Sequence, residues 1–261
     1  MRLTDAFAAE SKLRPKFIPY VMAGDPNLAT TEAVVRALAR NGATAIELGI
    51  PYGDPLADGP TIAAAGARAL AAGVTIEDVL ALVARLAPEI SASIVLFTYF
   101  NPLDRYGLER FARDAAGAGA GAVIVPDITL EESEELRAIF ARHGIDVPML
   151  VAPSTPPERA VKIAAASTGF LYIVSRLGVT GAASEPDFAP MRRQVAALRA
   201  ATDLPLALGF GVSRSEHVRA IADNVDAAIV GSAFIDALAG LSGEDAVAAA
   251  DRFVAELFAH D

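Results

Sequence analysis

The chain has 261 residues, 53% of them hydrophobic, and carries a formal net charge of −10. This acidic balance, without any Lys/Arg cluster, argues against a nucleic-acid partner. The absence of Cys excludes disulfides, thiolate nucleophiles and Cys-ligated zinc. No apolar stretch is long enough to span a membrane, and the start, MRLTDAFAAE, turns acidic before any apolar core, unlike a signal peptide. We therefore expect an untargeted cytoplasmic protein.

Short apolar runs alternate along the whole chain with longer helical patterns. The predicted strands are Phe17–Met22, Ala45–Gly49, Ile94–Tyr99, Ala122–Pro126, Pro148–Ala152, Phe170–Val174, Pro205–Gly209 and Ala227–Val230. Strict alternation predicts a parallel sheet that is buried on both faces. Eight such units in about 250 residues are typical of a closed (β/α)₈ TIM barrel, here a single α/β domain over residues 1–261. A doubly wound open sheet is the alternative, but the first strand lacks its glycine-rich fingerprint.

Start signals place the helices between these strands. Thr75-Ile-Glu-Asp predicts a capped helix, and Thr129-Leu-Glu-Glu predicts a second capping box for a helix that begins at Glu131. Thr155-Pro-Pro-Glu predicts a helix with Thr155 as its N-cap. An extra short helix over Leu3–Ala9 is expected to cover the bottom of the barrel.

The second predicted strand contains a charged residue, Glu47. Catalytic residues of a barrel lie at the C-terminal ends of its strands. Because its two neighbours must face the surrounding helices, Glu47 should point into the barrel. Loss of hydration there would raise its pKa toward the range of a working acid or base. A structural Glu paired with a cation is the alternative, although only Lys16 and Arg176 flank the strands.

The loop that follows is shaped by Pro and Gly and carries Asp54 and Asp58. Each Asp precedes Pro or Gly, where turn chemistry explains it as well as function does. Paired carboxylates without His or Cys indicate acid–base chemistry, and a Mg²⁺ site is the weaker alternative because prolines restrict the ligands. The scattered histidines are interpreted as surface residues: His143, His217 and His260.

Three later connections are rich in Gly and hydroxyl groups. The segment 175–184 has the small residues of a lid that moves. The seventh strand leads into Gly209-Phe-Gly-Val-Ser213 and the eighth into Gly231-Ser232, each with a hydroxyl at a predicted helix N-terminus. Loops after these two strands bind phosphate through backbone N–H groups in many barrels. We therefore expect a phosphorylated ligand at this end.

Taken together, these segments resemble the tryptophan synthase alpha subunit family. The stretch from Glu47 to Ile62 is similar to that family's long signature. Further matches occur in family order across nearly the whole chain: Phe17-Ile-Pro-Tyr-Val, Ala152-Pro-Ser-Thr-Pro, Tyr172-Ile-Val-Ser-Arg-Leu-Gly-Val-Thr-Gly, Gly209-Phe-Gly-Val and Gly231-Ser-Ala.

The resemblance implies a lyase, with no cofactor of its own, that cleaves indole-3-glycerol phosphate to indole and glyceraldehyde 3-phosphate. Glu47 would be the catalytic glutamate, and Asp58 would stabilise charge at the indole nitrogen. Thr180 would be the lid threonine that closes over Asp58. The aromatic pocket would comprise Tyr20, Phe97, Tyr172 and Phe210. The substrate phosphate would be held by Gly181, Gly211, Gly231 and Ser232.

The same resemblance implies a beta-subunit partner that carries pyridoxal phosphate, in a heterotetramer of two alpha and two beta subunits. Gly53, Ala63 and Thr129 depart from the family's usual pattern in loops that would meet this partner. A stand-alone lyase that releases free indole and a mainly regulatory barrel are alternatives. A sugar-phosphate isomerase would share the glycine turns but would not explain the segment Glu47–Pro60.

Overall fold

The computed structural model describes residues 1–174, 189–209 and 211–259. Its strands are β1 (Lys16–Met22), β2 (Ala45–Gly49), β3 (Ser93–Phe97), β4 (Ala122–Ile124), β5 (Leu150–Val151), β6 (Leu171–Val174), β7 (Leu206–Gly209) and β8 (Ala227–Val230). They form one eight-stranded sheet in the order β4-β3-β2-β1-β8-β7-β6-β5. All paired neighbours in this sheet run parallel.

The two ends of this sheet meet just before β5. A parallel bridge pairs Ala122 with Asp146. The N–H of Val123 donates to the carbonyl of Asp146 at 2.9 Å, and the N–H of Asp146 donates to the carbonyl of Gly121 at 3.1 Å. The sheet therefore closes on itself, which confirms the predicted (β/α)₈ barrel over the open doubly wound sheet.

Helices surround the barrel and also precede it. Those of the described residues are α1 (Leu3–Ala8), α2 (Leu28–Arg40), α3 (Pro60–Ala71), α4 (Ile76–Leu86), α5 (Phe100–Tyr106), α6 (Leu108–Ala118), α7 (Glu134–Arg142), α8 (Pro157–Ala166), α9 (Ala189–Arg199), α10 (Ser215–Ile221), α11 (Ser232–Leu238) and α12 (Gly243–Leu257). None of them is long and apolar enough to cross a membrane.

The predicted strands agree with the structure most closely where apolar runs are uninterrupted. Both β2 and β8 have the predicted bounds. In contrast, β4 and β5 are shorter than predicted. Their predicted runs included Pro126 and Pro148, which have no N–H to donate to a strand ladder. The lengths of the apolar runs therefore overestimated the lengths of these two strands.

One predicted helix start is wrong at α7. The Thr129 hydroxyl accepts from the N–H of Glu132 at 3.3 Å, which is one half of a capping box, and donates to the Glu132 carboxylate at 2.7 Å. These contacts stabilise a turn rather than the first turn of the helix, which begins at Glu134 and not at Glu131. The local hydrogen-bond signal was correct, but it could not distinguish a turn from a helix N-terminus.

The predicted N-cap of α8 is also wrong. Thr155 Oγ1 accepts from the N–H of Ala152 at 3.0 Å, so it stabilises the turn after β5. The helix begins at Pro157 without a side-chain cap. The capping box at Thr75, which pairs reciprocally with Asp78 at the start of α4, is confirmed.

The N-terminal helix α1 lies against the bottom of the barrel, as predicted for residues 3–9. Leu3 is fully buried, and a Cβ atom on Gly169 would lie 2.5 Å from its Cδ2. The hydroxyl of Ser93, at the start of β3, donates to the carbonyl of Met1 at 3.1 Å. Because this end is covered, the C-terminal end of the barrel is the open one.

We expect Leu3→Ala to lower the free energy of unfolding by about 2–4 kcal/mol, because it removes buried methyl groups and leaves a cavity under the barrel. Urea unfolding followed by circular dichroism measures this change. Leu56→Ala is the matched control, since Leu56 is 78% exposed, and it should change stability by less than about 0.5 kcal/mol. Equal effects of the two substitutions would contradict the assigned position of α1.

Candidate active site

Glu47 is the one charged side chain in the buried core of the described residues, with 1% of its surface exposed. It pairs in register with Tyr20 on β1 and Val95 on β3. Its charge also acts on the hydroxyl of Tyr172. Because Tyr172 lies on β6, which is opposite β2 in the strand order, the Glu47 carboxyl points into the barrel interior, as the alternation predicted.

The Glu47 carboxyl has no compensating partner within the described residues. Its Oε1 atom is buried without a hydrogen bond, and burial raises the pKa of Glu47 to about 8. Lys16 does not pair with it, since Lys16 Nζ donates to the carbonyl of Ala9 at 2.6 Å. Arg176, the other flanking cation, lies outside the described residues. A carboxyl group with this pKa carries its proton at neutral pH and can donate it.

Asp58 lies half-buried on the loop that joins β2 to α3. Burial raises its pKa to about 6, and hydrogen bonding with the Tyr99 hydroxyl opposes this rise. Asp58 is therefore mostly ionised at neutral pH, whereas Glu47 is mostly protonated. Two carboxyl groups whose pKa values are separated by their surroundings are typical of acid–base sites.

Asp58 faces the same interior space as Glu47. Both charges raise the pKa of the buried Tyr20 hydroxyl, Asp58 more than Glu47. Asp54, the other candidate on this loop, is exposed. Its carbonyl accepts from the N–H of Leu56 at 3.0 Å, as in a turn. The structure therefore brings Glu47 and Asp58 together and leaves Asp54 in turn chemistry.

Two tyrosine rings lie beside glycines at the open end of the barrel. A Cβ atom on Gly49 would lie 2.1 Å from Tyr20 Oη, and one on Gly209 would lie 2.3 Å from Tyr172 Oη. Phe97 packs edge-on against Tyr20, with ring centroids 5.6 Å apart. The resemblance implied that these aromatic residues line a pocket, but the glycines that make room for them were not predicted. The small residue at the end of each neighbouring strand was the available signal.

Tyr99 is a site residue that sequence analysis missed. It is 3% exposed, and its Oη accepts from the N–H of Ala57 at 3.0 Å, next to Asp58. Burial and the Asp58 charge raise the pKa of Tyr99, so the hydroxyl keeps its proton. A polar aromatic residue just after β3, at the catalytic end of the barrel, could have indicated this position.

The predicted phosphate residues lie at the same open end. Gly231 is the N-cap of α11, and Ser232 is its first residue. The Ser232 Oγ atom is buried without a hydrogen-bond partner among the described residues. Gly211 has φ +101°, in the region that favours glycine. Ser232 thus offers a hydroxyl that has no partner among the described residues, and Gly211 and Gly231 offer backbone without a side chain, where a phosphate was expected.

Ser213, the hydroxyl expected at the N-terminus of the helix after β7, lies before that helix and not at its start. The helix α10 begins at Ser215. The N–H and hydroxyl of Ser213 both lie 3.3 Å from His217 Nδ1 instead. His217, four residues further along, therefore bonds with Ser213. A pattern of Gly and Ser residues could not predict this contact.

Several predicted residues lie outside the part of the chain that the structure describes: Thr180, Gly181, Phe210 and His260. Their roles stay predictions. His143 lies at the surface, where its Nε2 is 2.8 Å from Glu109 Oε1, and His217 is half-buried. The described residues contain no group of three His, Asp or Glu side chains that could hold a metal ion.

Comparison with known proteins identifies the family. A family model described as tryptophan synthase alpha chain matches residues 7–259. The chain belongs to this family. It is 48% identical to the tryptophan synthase alpha chain of Acaryochloris marina over 241 residues, which cover 92% of this chain and 90% of the relative.

Solved structures of tryptophan synthase share the barrel. A chain of Mycobacterium tuberculosis tryptophan synthase superposes with a TM-score of 0.87 at 36% identity, covering 99% of both chains. A chain of the tryptophan synthase complex of Pyrococcus furiosus gives a TM-score of 0.83 at 32% identity, covering 94% of this chain and 98% of that one. The alpha-chain fold is therefore shared over nearly the full length.

The raised pKa of Glu47 predicts a pH-dependent stability. The free side chain titrates near 4.5 and the folded one near 8, so the unfolded chain loses its proton first. Between these values, the free energy of unfolding should fall as pH rises, by about 1.4 kcal/mol per pH unit from this group alone. Glu47→Gln should remove that slope in urea unfolding from pH 5 to 9. The exposed control Glu216→Gln should retain it; identical slopes in Glu47→Gln and wild type would refute the assignment.

Proposed function

We propose that the chain is a carbon–carbon lyase that cleaves indole-3-glycerol phosphate to indole and glyceraldehyde 3-phosphate. The observation that carries this proposal is the buried carboxyl of Glu47, which has no partner within the described residues and whose charge acts, together with that of Asp58, on the Tyr20 hydroxyl. Membership of the tryptophan synthase alpha chain family supports the choice of substrate. The ring-lined pocket and the glycine turns suit the two ends of this molecule, a flat aromatic group and a phosphate.

Glu47 would move the proton in both halves of this retro-aldol reaction. Its protonated carboxyl donates to indole C3, which forms an indolenine whose positive charge lies on the ring nitrogen. The resulting carboxylate then takes the proton from the glycerol hydroxyl beside the scissile bond. The electrons of the broken carbon–carbon bond return to the ring and neutralise the nitrogen. Glu47 ends the cycle protonated, so one group serves as acid and then as base.

Asp58 would stabilise the positive charge that develops at the indole nitrogen. A pKa of about 6 keeps it mostly ionised at neutral pH, and its partly buried position strengthens the electrostatic interaction. The aromatic ring of the substrate would lie among Tyr20, Phe97, Tyr172 and, outside the described residues, Phe210. Thr180 would close over Asp58.

The phosphate would bind at Gly211, Gly231 and Ser232, together with Gly181 outside the described residues. A net charge of −10 offers no basic field. Backbone N–H groups and the unpartnered Ser232 hydroxyl can nevertheless bind a dianion by local dipoles. Each step needs only proton transfer and charge stabilisation, so we propose neither a metal nor a cofactor for this chain.

We further propose that the chain works in the cytoplasm with a beta subunit that binds pyridoxal phosphate, as two alpha and two beta subunits. The similarity to a chain of the Pyrococcus furiosus complex supports a partner. The loop of Asp58 also displays Leu56, which is 78% exposed. An apolar side chain on the rim of the site is a candidate contact for the beta subunit.

Glu47→Gln should reduce indole release by at least about 100-fold, because the amide cannot donate and accept the proton. The assay follows indole formation from indole-3-glycerol phosphate, with and without a beta subunit, which also separates a stand-alone lyase from a partner-dependent one. Binding of a non-cleavable phosphorylated indole analogue, measured by calorimetry, should be retained. Glu216→Gln serves as the active control. Full activity of Glu47→Gln would exclude the proposed mechanism.

Leu56→Asp should weaken binding of the beta subunit by about tenfold or more, because a desolvated apolar contact is replaced by a charge. Analytical ultracentrifugation of the mixed subunits measures this affinity. Val161→Asp is the matched control: Val161 is 45% exposed but lies on α8 and not on the Asp58 loop. Equal affinities for both variants would remove Leu56 from the proposed interface.

A further inference from the structure

The loop that carries Asp58 is connected to the barrel by side-chain contacts rather than by strand pairing. Its own backbone hydrogen bonds are local, from the N–H of Leu56 to the carbonyl of Asp54 and from the N–H of Asp58 to the carbonyl of Pro55, at 3.0 and 3.1 Å. Such turn bonds shape the loop without fixing its place relative to β3. Tyr99 Oη connects the part of the loop next to Asp58 to the segment after β3, since it accepts from the N–H of Ala57 at 3.0 Å, whereas Tyr52 connects the start of the loop to Asn101.

The position of the Tyr99 hydroxyl is itself well determined. The residue is buried, and its ring lies against Tyr52 with centroids 5.4 Å apart. Tyr52 is held in turn, since its hydroxyl accepts from Asn101 Nδ2 at 2.9 Å. A phenol that accepts one N–H still has its own hydrogen to donate. The hydrogen of Tyr99 is thus available to the carboxylate next to Ala57.

We propose that Tyr99 is a positioning residue of this active site, whose hydroxyl holds the loop through Ala57 and orients the carboxylate of Asp58 toward the bound ring. This inference rests on the proposed function. Tyr99 does not touch the reacting atoms; it acts through Asp58. Tyr99→Phe should therefore change the pKa of Asp58 and the pH dependence of activity, and not only the fraction of folded protein.

The electrostatic surroundings of Asp58 make this hydrogen bond important. The titratable groups that interact with Asp58 within the described residues are uncharged phenols: Tyr20, Tyr99 and Tyr172. The charge of Glu47 acts on Tyr20 as that of Asp58 does, and the charge of Asp127 also acts on Tyr99. Desolvation raises the pKa of Asp58, and hydrogen bonding with the Tyr99 hydroxyl opposes that rise.

The test compares Tyr99→Phe with wild type in two measurements. Carbon-13 NMR titration of the Asp58 carboxyl, assigned with Asp58→Asn, should show the pKa rising from about 6 to about 7 when the donor is lost. The acidic limb of kcat/KM for indole release, measured with the beta subunit present, should move in the same direction. At pH 6, kcat/KM should fall by about fivefold.

Tyr106→Phe is the matched control, because the Tyr106 hydroxyl pairs with Asp114 at 3.0 Å, between α5 and α6. It should leave both measurements unchanged. An unchanged Asp58 pKa in Tyr99→Phe, or a loss of activity equal at every pH, would overturn the proposal. The NMR result does not depend on turnover, so wild type that releases no indole would refute the proposed function alone.

A second variant keeps the test decisive if Tyr99→Phe folds poorly. Site-specific replacement of Tyr99 by 3,5-difluorotyrosine preserves the ring and makes the hydroxyl a stronger donor. It should lower the pKa of Asp58 and shift the acidic limb of kcat/KM to lower pH, opposite to Tyr99→Phe. A shift in the same direction as Tyr99→Phe, or no shift, would contradict a donor role.

Discussion

The burial of one carboxyl group without a counter-charge is the constraint on which this site depends. Glu47 sits among apolar strand residues, and no described Lys or Arg reaches it. Burying it in the ionised form costs several kcal/mol, so it takes up a proton instead. The surrounding barrel must supply that stability elsewhere, through a closed sheet and a covered N-terminal end. The same desolvation that weakens the fold at high pH creates the acid that the proposed reaction needs.

The second carboxyl differs because of where the chain places it. Glu47 is part of a strand and is fixed by ladder pairing with both neighbours. Asp58 is on a loop, keeps partial access to water and has a hydroxyl donor beside it. Burial therefore raises the pKa of one residue far more than that of the other. The position of each carboxyl on the backbone, together with the Tyr99 hydroxyl, therefore separates two side chains of the same chemical type into a protonated and a mostly ionised group.

The features that could be predicted from the sequence are those that follow from the alternation of residues along a strand and from runs of apolar residues. The inward direction of Glu47 follows from alternation on β2, and the barrel follows from eight apolar runs between helices. Features that depend on a contact with a residue outside the local motif were predicted wrongly or missed. Thr155 was taken for an N-cap because its competing partner, Ala152, has no side-chain signature. Gly49 and Tyr99 were missed for the same reason: their importance lies in contacts with Tyr20 and Ala57 on other elements.

The two halves of the proposed site are also connected through α3. This helix begins at Pro60, directly after the Asp58 loop. Its Ile62 side chain lies against Gly231, where an added Cβ atom would be 3.5 Å from Ile62 Cδ1. A larger residue at Gly231 would thus press on α3 as well as enter the proposed phosphate site. Because one helix joins the loop of Asp58 to the proposed phosphate site, the distance between these two parts of the proposed site is set by the fold and not by either loop alone.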